Sequence, residues 1–92
     1  MSKFYPVRCS RTEKEQRYIR ARIDLWEWLS PEERADIKRQ IGSIARGGVE
    51  RSALEAVALR GMSPRTAAEK YRLDRRRVYQ MQREFLEGFE IR

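Results

Sequence analysis

Two serine–proline pairs and a few glycines cut this chain into pieces of helical length. Ser30-Pro31-Glu32-Glu33 and Ser63-Pro64-Arg65 both have the form of a helix start. Serine can accept a hydrogen bond from the first free amides, and proline at the first helical position gives up no needed donor. Gly47-Gly48 and Gly61 fall where the helical periodicities have to stop. Alternating apolar–polar strand patterns and Asn-Gly hairpin turns do not occur between these marks. The fold class expected is therefore all-α: a small helical domain of four to five helices. Its 92 residues suit one domain with a modest core, too short for a barrel or a doubly wound sheet. A hydrophobic share of 40% beside 38% charged residues is enough to fill that core, unlike the composition of a disordered basic tail.

Residues 1–11 read as an irregular or extended N-terminal arm, with Phe4, Tyr5 and Val7 available to hold it against the body. Residues 12–46 read as two helices. The first is expected from about Thr12 to Leu29, with Tyr18, Ile19, Arg22, Ile23, Trp26 and Leu29 at helical spacing. Leu25 and Trp28 widen its apolar side beyond a single stripe, which suggests contact with more than one neighbour. Both tryptophans suit core or bulky cover. Trp26, Trp28 and the C-terminal Phe89 are also the candidate partner interface, because aromatic residues anchor such surfaces. The second helix is expected from Pro31 to Arg46, with Ile37, Ile41 and Ile44 on one side and acids in its first turn, matching the macrodipole.

Residues 50–89 carry the functional signal. A helix from about Glu50 to Arg60 leads into a short one from Pro64 to about Tyr71, Arg72-Leu73 turns the chain, and Asp74 caps a longer helix that begins at Arg75. This is the spacing of a helix-turn-helix, with Ala68 at the close approach of the two helices and Leu73 plugging the turn. Val78, Met81, Phe85 and Phe89 form the inner stripe of the last helix, which leaves Arg75, Arg76, Tyr79, Gln80 and Arg83 outward and Arg77 at the flank. Arg can bond guanine O6 and N7, Gln can bond adenine, and Tyr can bond a phosphate or pack on a thymine methyl. Recognition helices contact bases through their N-terminal residues. Arg75, Arg76, Tyr79 and Gln80 are thus the expected base readers, with Arg65, Lys70, Arg72, Arg77 and Arg83 on phosphates.

Charge points to the same segment. The chain carries +7, and residues 60–83 hold eight basic and two acidic groups, a local +6. Everything else sums to +1. A merely solvated helix face mixes signs, as the first two helices do, so this concentration favours a polyanionic partner.

From about Glu50 to Phe89 the chain resembles the fourth region of bacterial sigma factors, the helix-turn-helix that reads the promoter −35 element, and the small phage and plasmid regulators built on that unit. The stretch Leu73-Asp74-Arg75-Arg76-Arg77-Val78-Tyr79-Gln80-Met81 carries the likeness, being similar to the family's apolar-cap-Arg-x-Arg-Val-x-Gln-Ile recognition helix. Leu54 to Gly61 and Met62-Ser63 resemble its lead-in helix and turn. The resemblance implies binding to double-stranded DNA in transcription regulation. Where the family has Gly in the turn this chain has Arg72, which is expected to take a left-handed conformation at about 1 kcal/mol. A module for melting the −10 element has no counterpart, so an accessory regulator of phage, plasmid or mobile-element origin is expected rather than a complete sigma factor.

Other chemistry finds little support in the sequence. With no His and the single Cys9, a structural zinc site, a Ser-His-Asp triad and a Cys-His pair all lack their residues. Catalytic residues, metal ligands and cofactors are not expected. Cys9 is expected to be an ordinary reduced thiol. The N-terminus lacks the apolar core of a secretion signal and no stretch reaches membrane-spanning length, so a cytoplasmic protein is expected. One reading helix covers few base pairs, and the expected partners are double-stranded DNA together with a second copy of the chain or RNA polymerase. Two other readings fit the same residues: a DNA-packaging protein like a terminase small subunit, and an RNA polymerase-binding accessory factor.

Overall fold

Four of the five α-helices begin on a side chain that accepts a hydrogen bond from their first free amides. In the computed structural model, which describes residues 6–91, these caps are Thr12, Ser30, Ser63 and Asp74. They open α1 (Glu13–Asp24), α2 (Pro31–Ile44), α4 (Pro64–Tyr71) and α5 (Arg75–Gly88). Thr12 does so reciprocally: its hydroxyl accepts the Glu15 amide at 3.1 Å while the Glu15 carboxylate accepts the Thr12 amide at 3.0 Å. The fifth, α3 (Gly48–Ala58), starts after Gly47 without a side-chain cap. The all-helical class read from the sequence holds, and strands are absent among the described residues.

Three boundaries between α1 and α3 differ from expectation. A single helix from Thr12 to Leu29 does not form. α1 stops at Asp24, and Trp26–Trp28 make one 3₁₀ turn before the chain straightens at Leu29 and Ser30. Pro31 excludes its predecessor from helical geometry, and burial explains the rest. Ile19 and Ile23 face the core. On a continuous helix Leu29 would point about 120° away from Ile23, since six residues turn the helix through about 600°. Breaking at Leu25 brings Leu29 inside, where it is 5% exposed, and leaves Trp28 at 84%. α2 stops at Ile44, short of Arg46, because Ala45 is extended, and α3 starts two residues before Glu50.

α3, α4 and α5 pack on one another, and α2 lies against α5 and α3. Ile19, Ile41, Leu54, Val78, Met81 and Phe85 are fully enclosed, with Phe89 edge-on to Phe85 at 5.9 Å between ring centroids. Full burial of each such side chain contributes about 1.5–3 kcal/mol. α1 is joined to this unit by polar ties as well. Arg20 donates to the carbonyls of Ala58 and Leu59 at the end of α3, at 3.0 and 3.2 Å, a cation placed where the helix dipole is negative.

The arm is fastened by Gln16, a buried polar side chain on α1. Its carboxamide accepts the Val7 amide and donates to the Val7 carbonyl, both at 2.9 Å, and donates to the Arg11 carbonyl at 3.1 Å. Arg11 in turn donates to the carbonyls of Leu86 and Phe89 at the end of α5. Val7 packs against the core, as expected; Phe4 and Tyr5 lie outside the described residues.

Candidate nucleic-acid interface

The site is built from α4, the turn after it and α5. Ser63 accepts the Thr66 amide at 3.2 Å to start α4, and Ala67 and Ala68 are buried on the side that meets its neighbours. Arg72 ends the helix in the left-handed region, φ 54° and ψ 46°, as the turn demands. The next amide, Leu73, donates back to the Ala68 carbonyl at 2.9 Å, the closing bond of a Schellman-type helix end. Leu73 packs against the core and Asp74 caps α5 by accepting the Arg76 amide at 2.8 Å.

Helical periodicity then sorts the last helix. Val78 and Met81 are 0% exposed, and Phe85 and Leu86 continue the enclosed side. Arg75, Arg76, Tyr79, Gln80 and Arg83 are exposed, so the four expected base readers share one open face of α5. Arg65, Lys70 and Arg72 are exposed on α4 and the turn beside it. Among the described residues, no carboxylate forms an ion pair with Lys70, Arg72, Arg75 or Arg76. Arg65 and Arg83 have loose companions in Glu69 and Glu87, each at 3.6 Å. Exposed pairs of this kind contribute little and can be exchanged for a phosphate.

Two expected roles have to be reassigned. Arg77, expected at the flank as a phosphate ligand, turns back into the fold. Its Nε and one terminal nitrogen donate to the two carboxylate oxygens of Glu50 at 3.1 and 2.9 Å, and the same nitrogen reaches the Ile44 carbonyl at 3.1 Å. Both side chains are mostly covered, and the forked pair ties α5 to the end of α2 and the start of α3. Arg77 holds the Glu50 carboxyl below the ordinary carboxylate range, helped by the Arg46 amide, and Glu50 raises the Arg77 pKa in return. Phe89, expected at a partner interface, is buried against Phe85 and the core. Trp26 is half-buried, with Lys38 6.0 Å from its ring centre, so Trp28 is the openly exposed member of that expected set.

Sequence reasoning missed Gln16, Glu50 and Arg8. Gln16 and Glu50 act through partners remote in sequence, and no local pattern marks them. Arg8 lies on the fastened arm, which together with the open face of α5 borders one shallow concavity. The arm meets α5 again where the Ser10 amide donates to the Glu87 carboxylate at 2.8 Å, a bond that lowers the Glu87 pKa.

Chemically the face offers forked guanidinium donors, a phenol and a carboxamide, which suit hydrogen bonding to polyanions and base edges rather than bond making. Among the described residues, no cluster of His, Cys, Asp and Glu could hold a metal ion, and no helix is long and apolar enough to cross a membrane. Comparison with family models, characterised proteins and solved structures finds no match to this chain.

Proposed function

We propose that the protein is a sequence-specific double-stranded DNA-binding regulator of transcription that lays α5 in the major groove. The observation carrying this reading is the division of one helix. Val78 and Met81 are sealed at 0% exposure, while Arg75, Arg76, Tyr79 and Gln80 are exposed on the other side, Gln80 accepting a long hydrogen bond from Arg77 at 3.5 Å. Base contacts then come from those four residues, and Arg65, Lys70, Arg72 and Arg83 provide affinity through phosphates and counterion release. Arg77 belongs to the scaffold that sets the pitch of α5. The likeness of Leu73 to Met81 to the sigma-factor recognition helix supports the same reading, as does the local charge of +6 over residues 60–83. A second copy on an adjacent half-site, about one DNA turn away, would supply the remaining specificity.

Selection of bound duplexes from a randomised library tests the proposal. The expected product is a defined motif arranged as an inverted repeat. Arg76→Ala should relax preference at one base position and cost roughly 1–3 kcal/mol there, whereas Lys70→Ala should weaken all sequences alike and lower the salt slope by about one. Recovery of unenriched random sequence, or a Lys70 variant that changes the motif while the Arg76 variant does not, would overturn the assignment.

A further inference from the structure

The N-terminal arm lies beside the proposed reading face, and it does so by construction. Pro6, Val7 and Arg8 border the same concavity as Arg75, Arg76 and Tyr79. Gln16 holds the arm on one side by taking both backbone groups of Val7, and Glu87 holds it on the other through the Ser10 amide. Arg11 fastens its base to the last turn of α5. A buried carboxamide spent on the backbone of an otherwise irregular segment fixes where that segment runs. Between the two fastenings the chain places Arg8, which is exposed and, among the described residues, forms no ion pair. Two acids, Glu84 and Glu87, border the same concavity, and Glu87 is already taken up by the Ser10 amide and Arg83.

We infer that Arg8 is a phosphate-binding residue of the nucleic-acid surface, and that the arm and α5 grip the sugar–phosphate backbone of one duplex from two sides. This rests on the reading of α5 as the groove-entering helix. The occupant follows from charge complementarity: a guanidinium beside a row of guanidiniums repels a cationic partner and attracts a polyanion, and with α5 on the base edges the phosphate strand that borders the groove brings oxygen acceptors to Arg8.

The test measures binding of a fluorescein-labelled, mixed-sequence 30-base-pair duplex by anisotropy across a salt series, with the full chain as wild type, Arg8→Ala, Lys70→Ala and Arg39→Ala. Arg39 is exposed on α2, remote in sequence from both rows. Loss of one phosphate contact should reduce the slope of log affinity against log salt by about 0.9, and hence weaken binding about eight-fold at 0.1 M salt. Arg8→Ala should show this loss and Arg39→Ala should not. If Arg8→Ala matches wild type while Lys70→Ala is weakened, the arm is passive and the inference fails with the reading of α5 intact. If Arg39→Ala loses as much as Arg8→Ala, the effect is one of overall charge and the inference also fails. A wild-type chain that binds no duplex even at 0.05 M salt would overturn both.

Discussion

Arg72 separates stability from binding at a single position. Its φ of 54° is unfavourable for a side chain with a Cβ, and the positive φ values elsewhere in the described chain belong to glycines. The turn nevertheless closes, because the Leu73 amide reaches the Ala68 carbonyl and Leu73 itself packs on the core. Arg72→Gly should therefore raise unfolding stability by up to about 1 kcal/mol, measured by urea titration. The same change removes an exposed cation from the edge of the reading unit and should weaken binding to every duplex while leaving motif preference alone. A variant that is both more stable and equally tight would place Arg72 outside the DNA surface.

Between elements, the Glu50–Arg77 pair controls how α5 sits on α2 and α3. Replacing Glu50 by Gln leaves the Arg77 guanidinium mostly covered, with its counter-charge and one of the two Glu50 acceptors gone, at a cost of about 1–3 kcal/mol. The sign of the pH dependence follows from Glu50. Its folded pKa is lowered from 4.5, chiefly by the hydrogen bond from Arg77, so the unfolded chain takes up a proton first as the solution is acidified. The contribution is full above 4.5 and lost as the pH falls through the lower folded value. Urea titrations of wild type and Glu50→Gln should thus differ most near neutrality and converge in acid; a gap that persists unchanged would mean the pair is held by packing rather than charge. The pair also shows where sequence reading stops. The span of α4 and the start of α5 were legible because Ser63-Pro64 and Asp74 act on their own neighbours and Val78, Met81 and Phe85 repeat at helical spacing. Arg77 fits the same pattern as a flanking cation, and only a partner 27 residues away, brought close by folding, withdraws it from the surface. The end of α1 was hidden for a similar reason: helical spacing through Leu29 is satisfied locally, but the core captures Leu29 from a different direction. Gln16 gave no signal because a side chain that pairs with backbone needs no particular residue opposite it.

Across the molecule the net charge is concentrated in one stretch, since +6 of the net +7 falls in residues 60–83. On the proposed reading Arg65, Lys70, Arg72 and Arg83, joined by Arg8, would give one chain about five phosphate contacts. Nonspecific duplex binding by a single copy should then show a salt slope of about −4.5, and two copies bound together a slope of about −9. That difference also reports on assembly. Leu25 and Trp28 are 51% and 84% exposed at the break after α1, and together they are an apolar feature on an otherwise highly charged surface. Of the expected interface set Trp26, Trp28 and Phe89, Phe89 is committed to the core and Trp28 is the openly exposed one, so the proposed second copy would dock on Trp28. Trp28→Ser should not disturb folding, as its side chain is almost wholly in solvent, yet it should convert a slope near −9 to one near −4.5 and erase inverted-repeat preference if the copies meet there. A wild-type slope near −9 that Trp28→Ser leaves unchanged would move the seam between copies to another surface, while a wild-type slope near −4.5 would mean that the chain binds DNA alone and must draw further specificity from another protein.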